Sequence, residues 1–123
     1  MERRAINPWT WQDNFGFVQA TEVSGQQRTL ICSGQTSVDE NGTPVHEGDL
    51  GAQIGKALDN VETVLKQAGM GLGNVVRLNI YTTDVDGIFP HLGPYTARLQ
   101  AAGCVARLAF PQLMVELEAM AVA

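Results

Sequence analysis

The chain has 123 residues, 45% of them hydrophobic and 17% charged, and a net charge of −5. That length fits one domain, residues 1–123, and that balance excludes a disordered chain. With a pI near 4.8 the surface repels phosphate backbones. No apolar run approaches the roughly 18 residues of a membrane span, so neither nucleic acid nor membrane is an expected partner.

The N-terminal Arg3 and Arg4 are followed by no apolar stretch, so this end does not read as a secretory signal. Cys32 and Cys104 sit in apolar, strand-like surroundings. They read as two buried free thiols of a cytoplasmic protein.

Residues 15–23 alternate as a strand, with Phe15, Phe17, Gln19, Thr21 and Val23 on one face. Ser24-Gly25 is a turn signal and Arg28 to Ser33 reads as a second strand, which predicts a hairpin. Residues 36–48 are polar, contain Asn41-Gly42 and Pro44, and read as a loop. Asp49 is positioned to cap a helix in which Leu50, Ile54, Leu58, Val61 and Leu65 recur every three or four residues. This amphipathic helix should end near Gly69, with Glu62 and Lys66 as an i,i+4 pair on its wet side. Gly69 to Gly73 resembles a phosphate loop in composition. It follows a helix and precedes a strand, however, so it reads as a helix stop and turn.

Residues 74–83 alternate again, with Val76, Leu78 and Ile80 opposite Arg77, Asn79 and Tyr81. A second helix is expected from 87 to 102, with Ile88, Leu92, Tyr95 and Leu99 along its stripe and Pro94 marking a late start or a kink. Residues 104–110 and 114–123 read as strands. The order β-β-α-β-α-β-β makes an α+β domain, one sheet with two helices on one face.

The last strand offers two faces. Val115, Leu117, Ala119 and Ala121 suit packing under the helices; Met114, Glu116, Glu118, Met120 and Val122 face the other way. An uncovered face of that composition marks an interface, so an oligomer is expected with Glu116 or Glu118 near the seam. Such a carboxylate is either an ordinary solvated strand-end residue or a general base whose pKa partial burial raises. Ser33-Gly34-Gln35, at the end of the second strand, could present backbone groups to a ligand. His46, Glu47 and Asp49 match no closed metal site and read as solvated loop, so no metal is expected.

Taken together, SGQ at Ser33 to Gln35, ALDNVETVLKQAG at Ala57 to Gly69, NVVRLNIYTTD at Asn74 to Asp84, Tyr95 and ARLAFPQLMVELEAMAV at the end resemble the Rid family. This family is also called YjgF-type, and its members were once labelled L-PSP endoribonucleases. The resemblance implies a chorismate-mutase-like fold with one mixed β-sheet, assembled as a homotrimer with small-molecule clefts between subunits. It implies an enamine or imine deaminase that needs no cofactor and releases a keto acid and ammonia. It places the last-strand glutamate at Glu116 and the serine and glycine at Ser33 and Gly34.

Several positions depart from the family pattern. Phe17 replaces a tyrosine and Leu92 an asparagine, and no arginine stands at the start of the strand after the second helix. Arg107 matches a different family arginine, on the strand face opposite Cys104. The expected site is therefore Glu116 as catalytic carboxylate, with Phe17, Ser33, Gly34, Leu92, Cys104 and Arg107 lining the cleft. The tight link at Ala101 to Gly103 reads either as a true deletion or as a place where loop residues are missing. Three functions follow: a deaminase, a divergent relative binding a more apolar metabolite, and, disfavoured by charge, an endoribonuclease.

Overall fold

The computed structural model describes residues 1–11, 13, 18–101 and 116–123. Among the described residues five strands and three helices follow in order: β1 (Glu2–Ile6), β2 (Ala20–Ser24), β3 (Thr29–Ile31), α1 (Leu50–Gln67), β4 (Val75–Tyr81), α2 (Val85–Ile88), α3 (Leu92–Ala101) and β5 (Glu116–Val122). Among the described residues no helix is long and apolar enough to cross a membrane.

Helix α1 forms where its period and cap place it. Asp49 accepts a hydrogen bond from the Ala52 N–H at 3.1 Å, satisfying a donor that the first turn leaves open. Leu50, Ile54, Leu58, Val61 and Leu65 are all buried, and Ala57 joins them. The helix stops at Gly69, whose φ of 72° is the left-handed conformation that a side chain disfavours. Met70 N–H reaches back to Leu65 O (2.9 Å) and Gly69 N–H to Lys66 O (3.0 Å), a Schellman closure. The glycine run is thus the helix stop its position suggested.

β5 is the middle strand of an antiparallel sheet ordered β3-β5-β4. Leu117, Ala119 and Ala121 are buried under the helices, in one core with Leu78 and Ile80 of β4. Ile88, Tyr95 and Leu99 join the same core, so both helical segments cover one face of this sheet. Each fully buried aliphatic side chain contributes about 1.5–3 kcal/mol, which makes this layer the main source of stability.

The expected hairpin between residues 15–23 and 28–33 does not form among the described residues. β2 pairs with β1, from Glu2↔Ser24 to Ile6↔Ala20, and β3 pairs with β5 instead. The physical reason is burial: every β1 residue and all but one β2 residue stay exposed, whereas β5 offers an apolar face. The described strands therefore divide into a two-stranded and a three-stranded sheet, both antiparallel, rather than one continuous sheet. The sequence carried no strand signal for β1.

Four smaller corrections concern register and partners. The β4 register shifts between Val75 and Arg77, so Val75 rather than Val76 is buried beside Leu78 and Ile80. Val122 was expected on the outer face yet is 2% exposed; it lies beyond that shift, and the Asn74 amide donates to its carbonyl at 3.1 Å. The second helix is broken: α2 runs into a 3-10 turn at Phe89–His91 and α3 starts at Leu92, with Pro94 in its first turn. That is the late start a proline tolerates. Finally, Glu62 pairs with Arg98 at 2.7 Å, because α3 brings a guanidinium to the α1 face where only Lys66 was expected.

The strand expected at 104–110 and the first residues of the one at 114–123 lie outside the described residues. The link after Ala101, with its two readings, also lies outside the described residues.

Candidate functional site

The site is built on the three-stranded sheet. The Cys32 N–H donates to Ala119 O at 2.9 Å. The next rung joins Gln35 to Leu117 through two hydrogen bonds of 2.8 and 3.0 Å. Three residue steps on one strand thus match two on β5. The extra residue lies in Ser33-Gly34, which makes a bulge opposite backbone position 118 of β5. Both bulge residues are exposed.

The segment after the bulge is tied down from the helix layer. Asn60 of α1 donates to Thr36 O (2.9 Å) and Val38 O (3.0 Å). Ser37, itself buried, donates to Val45 O at 2.7 Å. Asp39 accepts from the N–H groups of Asn41 and Thr43. The loop at 36–48 is therefore ordered by its own polar groups and fixes the exit direction of Ser33-Gly34-Gln35.

The sheet face away from the helices carries a cavity of about 300 Å3 lined by Ile31, Cys32, Arg77, Asn79, Ala119 and Met120. Ile31 and Arg77 both pair with Met120, and Asn79 pairs with Glu118 one same-face step along β5. Ile31 of β3, on this face, is 74% exposed. Cys32 is buried and free. Burial pushes its thiol pKa up from the ordinary 9.0, which disfavours the thiolate and argues against a nucleophile.

Of the expected site residues, Ser33 and Gly34 lie in the bulge and Glu116 is the first residue of β5, in register with Tyr81 of β4. Leu92 is partly buried against the hydrophobic core. Phe17, Cys104 and Arg107 lie outside the described residues. Arg77 and Asn79 were not among the expected site residues. Their signal was the alternation of residues 74–83, which sets both opposite Leu78 and Ile80. In the polar loop, the Asp49 carboxylate is committed to the α1 cap and the His46 carbonyl accepts from Gln53 Nε2.

A sequence profile described as Endoribonuclease L-PSP matches residues 13–123. The chain belongs to this family, the Rid family. A Rid-family protein of unknown function, YyfB from Yersinia pestis, is 34% identical, with both chains covered in full and a TM-score of 0.74. A Rid relative named 2-iminobutanoate/2-iminopropanoate deaminase, from Salmonella typhimurium, is 28% identical over 114 residues, 86% of each chain. Protein mmf1, mitochondrial, from Schizosaccharomyces pombe is 36% identical over 92 residues, 72% of this chain and 54% of its own length. The α+β architecture with two helical segments over an antiparallel sheet is thus a Rid architecture.

Proposed function

We propose that the protein hydrolyses small enamines or imines, releasing a keto compound and ammonia, at a cleft between the subunits of a homotrimer. The observation that carries this reading is the Gln35–Leu117 rung, which sets the Ser33-Gly34 bulge against the strand that holds Glu116. Similarity to the deaminase from Salmonella typhimurium supports the same chemistry.

In this reading water adds to the imine carbon: a C–O bond forms and the C=N π pair moves to nitrogen, which takes a proton. The carbinolamine then collapses, the C–N bond breaks, and its pair leaves with ammonia as the hydroxyl loses its proton to form C=O. Glu116 accepts the proton from water and returns it to the departing nitrogen, a general acid–base role open to a carboxylate. The bulge offers backbone N–H groups that orient substrate and water, so much of the acceleration is proximity.

The test is keto-acid release from 2-iminobutanoate generated in situ by a threonine dehydratase, measured against spontaneous hydrolysis. Acceleration by the wild type and a loss of about 100-fold or more in Glu116→Gln support the reading. Release no faster than the spontaneous rate overturns it.

A further inference from the structure

The Ser33-Gly34 bulge lies between two rungs of the ladder to β5. On one side the Cys32 N–H donates to Ala119 O, and on the other Gln35 bonds twice to Leu117. Small, exposed residues specify such a register weakly. A slip of one residue against β5 would bring Gly34 or Thr36 opposite Leu117 and move the bulge to other residues. The Gln35 side chain supplies one local tie, its Nε2 donating to Ser33 O at a long 3.3 Å.

A firmer tie comes from α1. Asn60 Nδ2 donates to Thr36 O at 2.9 Å and to Val38 O at 3.0 Å. An amide nitrogen carries two hydrogens, so each has an acceptor. The carbonyls between and before these acceptors are already engaged: Gln35 O accepts from the Leu117 N–H at 3.0 Å and Ser37 O from the Val45 N–H at 2.9 Å. The Asn60 amide thus fits one register of this segment and not the next. Its own place is fixed by the core, because Ala57 and Val61 on the same helix are 0% exposed. Gln53, about two turns earlier on α1, donates to His46 O at 3.0 Å. One helix therefore holds both ends of the loop at 36–48, and it is the Asn60 end that adjoins the bulge.

We infer that Asn60 is a positioning residue for the imine hydrolysis proposed above: its amide locks the register that sets the Ser33-Gly34 backbone against β5. It acts through the backbone of residues 35–38 rather than by contact with substrate. The helix layer thereby fixes the aim of the bulge N–H groups on the far side of the Gln35–Leu117 rung. The kinetic consequence rests on the deaminase reading; the structural one rests on the hydrogen bonds alone.

Two measurements on the full chain test the assignment. The first is amide hydrogen exchange at Gln35. Asn60→Asp keeps the shape, removes both donors and sets a carboxylate against two carbonyl oxygens. Asn60→Ala, which adds no charge, takes its place if far-UV circular dichroism shows the first variant unfolded. Exchange at Gln35 should quicken by about tenfold or more in the Asn60 variant, the worth of one hydrogen bond, and stay at the wild-type rate in Gln53→Ala. The second is keto-acid release from 2-iminobutanoate, generated at a series of threonine dehydratase concentrations so that maximal rate and half-saturation separate. Asn60→Asp should lower the maximal rate by about tenfold or more with half-saturation little changed. Asn60→His, which returns one N–H donor, should fall between, and Gln53→Ala should turn over as the wild type does. Unchanged Gln35 exchange, or an unchanged maximal rate in the Asn60 variant of an active enzyme, overturns the inference. So does an equal loss in Gln53→Ala, which would make the effect one of loop anchoring at large. A wild type without turnover overturns the deaminase reading instead, and the Gln35 exchange comparison then decides whether Asn60 sets the register.

Discussion

Single residues show how far local chemistry departs from local sequence. Partial burial works against the Arg98 charge, but hydrogen bonds and charges from Glu62 and Asp59 outweigh it and hold the guanidinium above its ordinary pKa range. Its side chain is 33% exposed, so solvent screening limits its worth. Arg98→Ala should cost about 1 kcal/mol in urea unfolding, whereas Lys66→Ala should change stability by less than ~0.5 kcal/mol. Equal effects would restore the i,i+4 pair read from sequence. Cys32 gives a pH prediction. Its folded-state pKa is raised, so the unfolded chain loses this proton first as pH climbs. The contribution is complete below the ordinary pKa of 9.0 and is lost as pH rises through the folded value. In a Cys104→Ser background, denaturant midpoints should fall above that pH more steeply than in a Cys32→Ala counterpart. Iodoacetamide should label native Cys32 far more slowly than the unfolded chain.

Elements were legible where their signals are local. The α1 period, its Asp49 cap and its Gly69 stop all appear in consecutive residues, and each has the role its position implies. Gly69→Ala should destabilise by about 1 kcal/mol, since alanine resists the left-handed conformation; an unchanged thermal midpoint would mean the turn relaxes at no cost. The buried face of β5 was legible for the same reason, because alternation needs no knowledge of the partner strand. Partners were not legible. β2 and β3 are joined by a turn signal at Ser24-Gly25 and still do not pair. Pairing is decided by which strand supplies an apolar face, and β5 lies some ninety residues downstream. The Ser33-Gly34 bulge exists only relative to that distant strand, so a run of small residues was all the sequence could offer. Arg77 and Asn79 had correct alternation but no motif, and their meeting with Ile31 and Met120 follows from register.

At the scale of the whole molecule, helices cover one face of the three-stranded sheet, and among the described residues no helix covers the other. Ile31 at 74% exposure on that second face is the kind of apolar group that association removes from water. If copies meet there as the trimeric reading proposes, light scattering should give three times the 13.3 kDa protomer. Ile31→Lys should lower that mass while leaving far-UV circular dichroism unchanged. A wild type that stays monomeric at tens of micromolar would sink the trimeric reading. Outside the sheet layer, the β1–β2 ribbon buries almost nothing of its own, and a two-stranded ribbon has marginal stability alone. It is therefore the first segment expected to exchange its amide protons, measurable by hydrogen exchange against the α1 and β5 amides.

The sequence by itself determined the helix that starts at Asp49, the turn after it, the buried face of the last strand and the family to which these motifs point. Each depends on periodicity or cap chemistry within a few residues, which tertiary contacts reinforce rather than choose. Only the tertiary structure decided that β3 joins β5, that Ser33-Gly34 bulges against β5, that Glu62 answers Arg98, and that Arg77 faces a cavity. Those outcomes compare distant segments for the same partner, and the winner is the one that buries more apolar surface or satisfies more polar groups. No local pattern records that comparison.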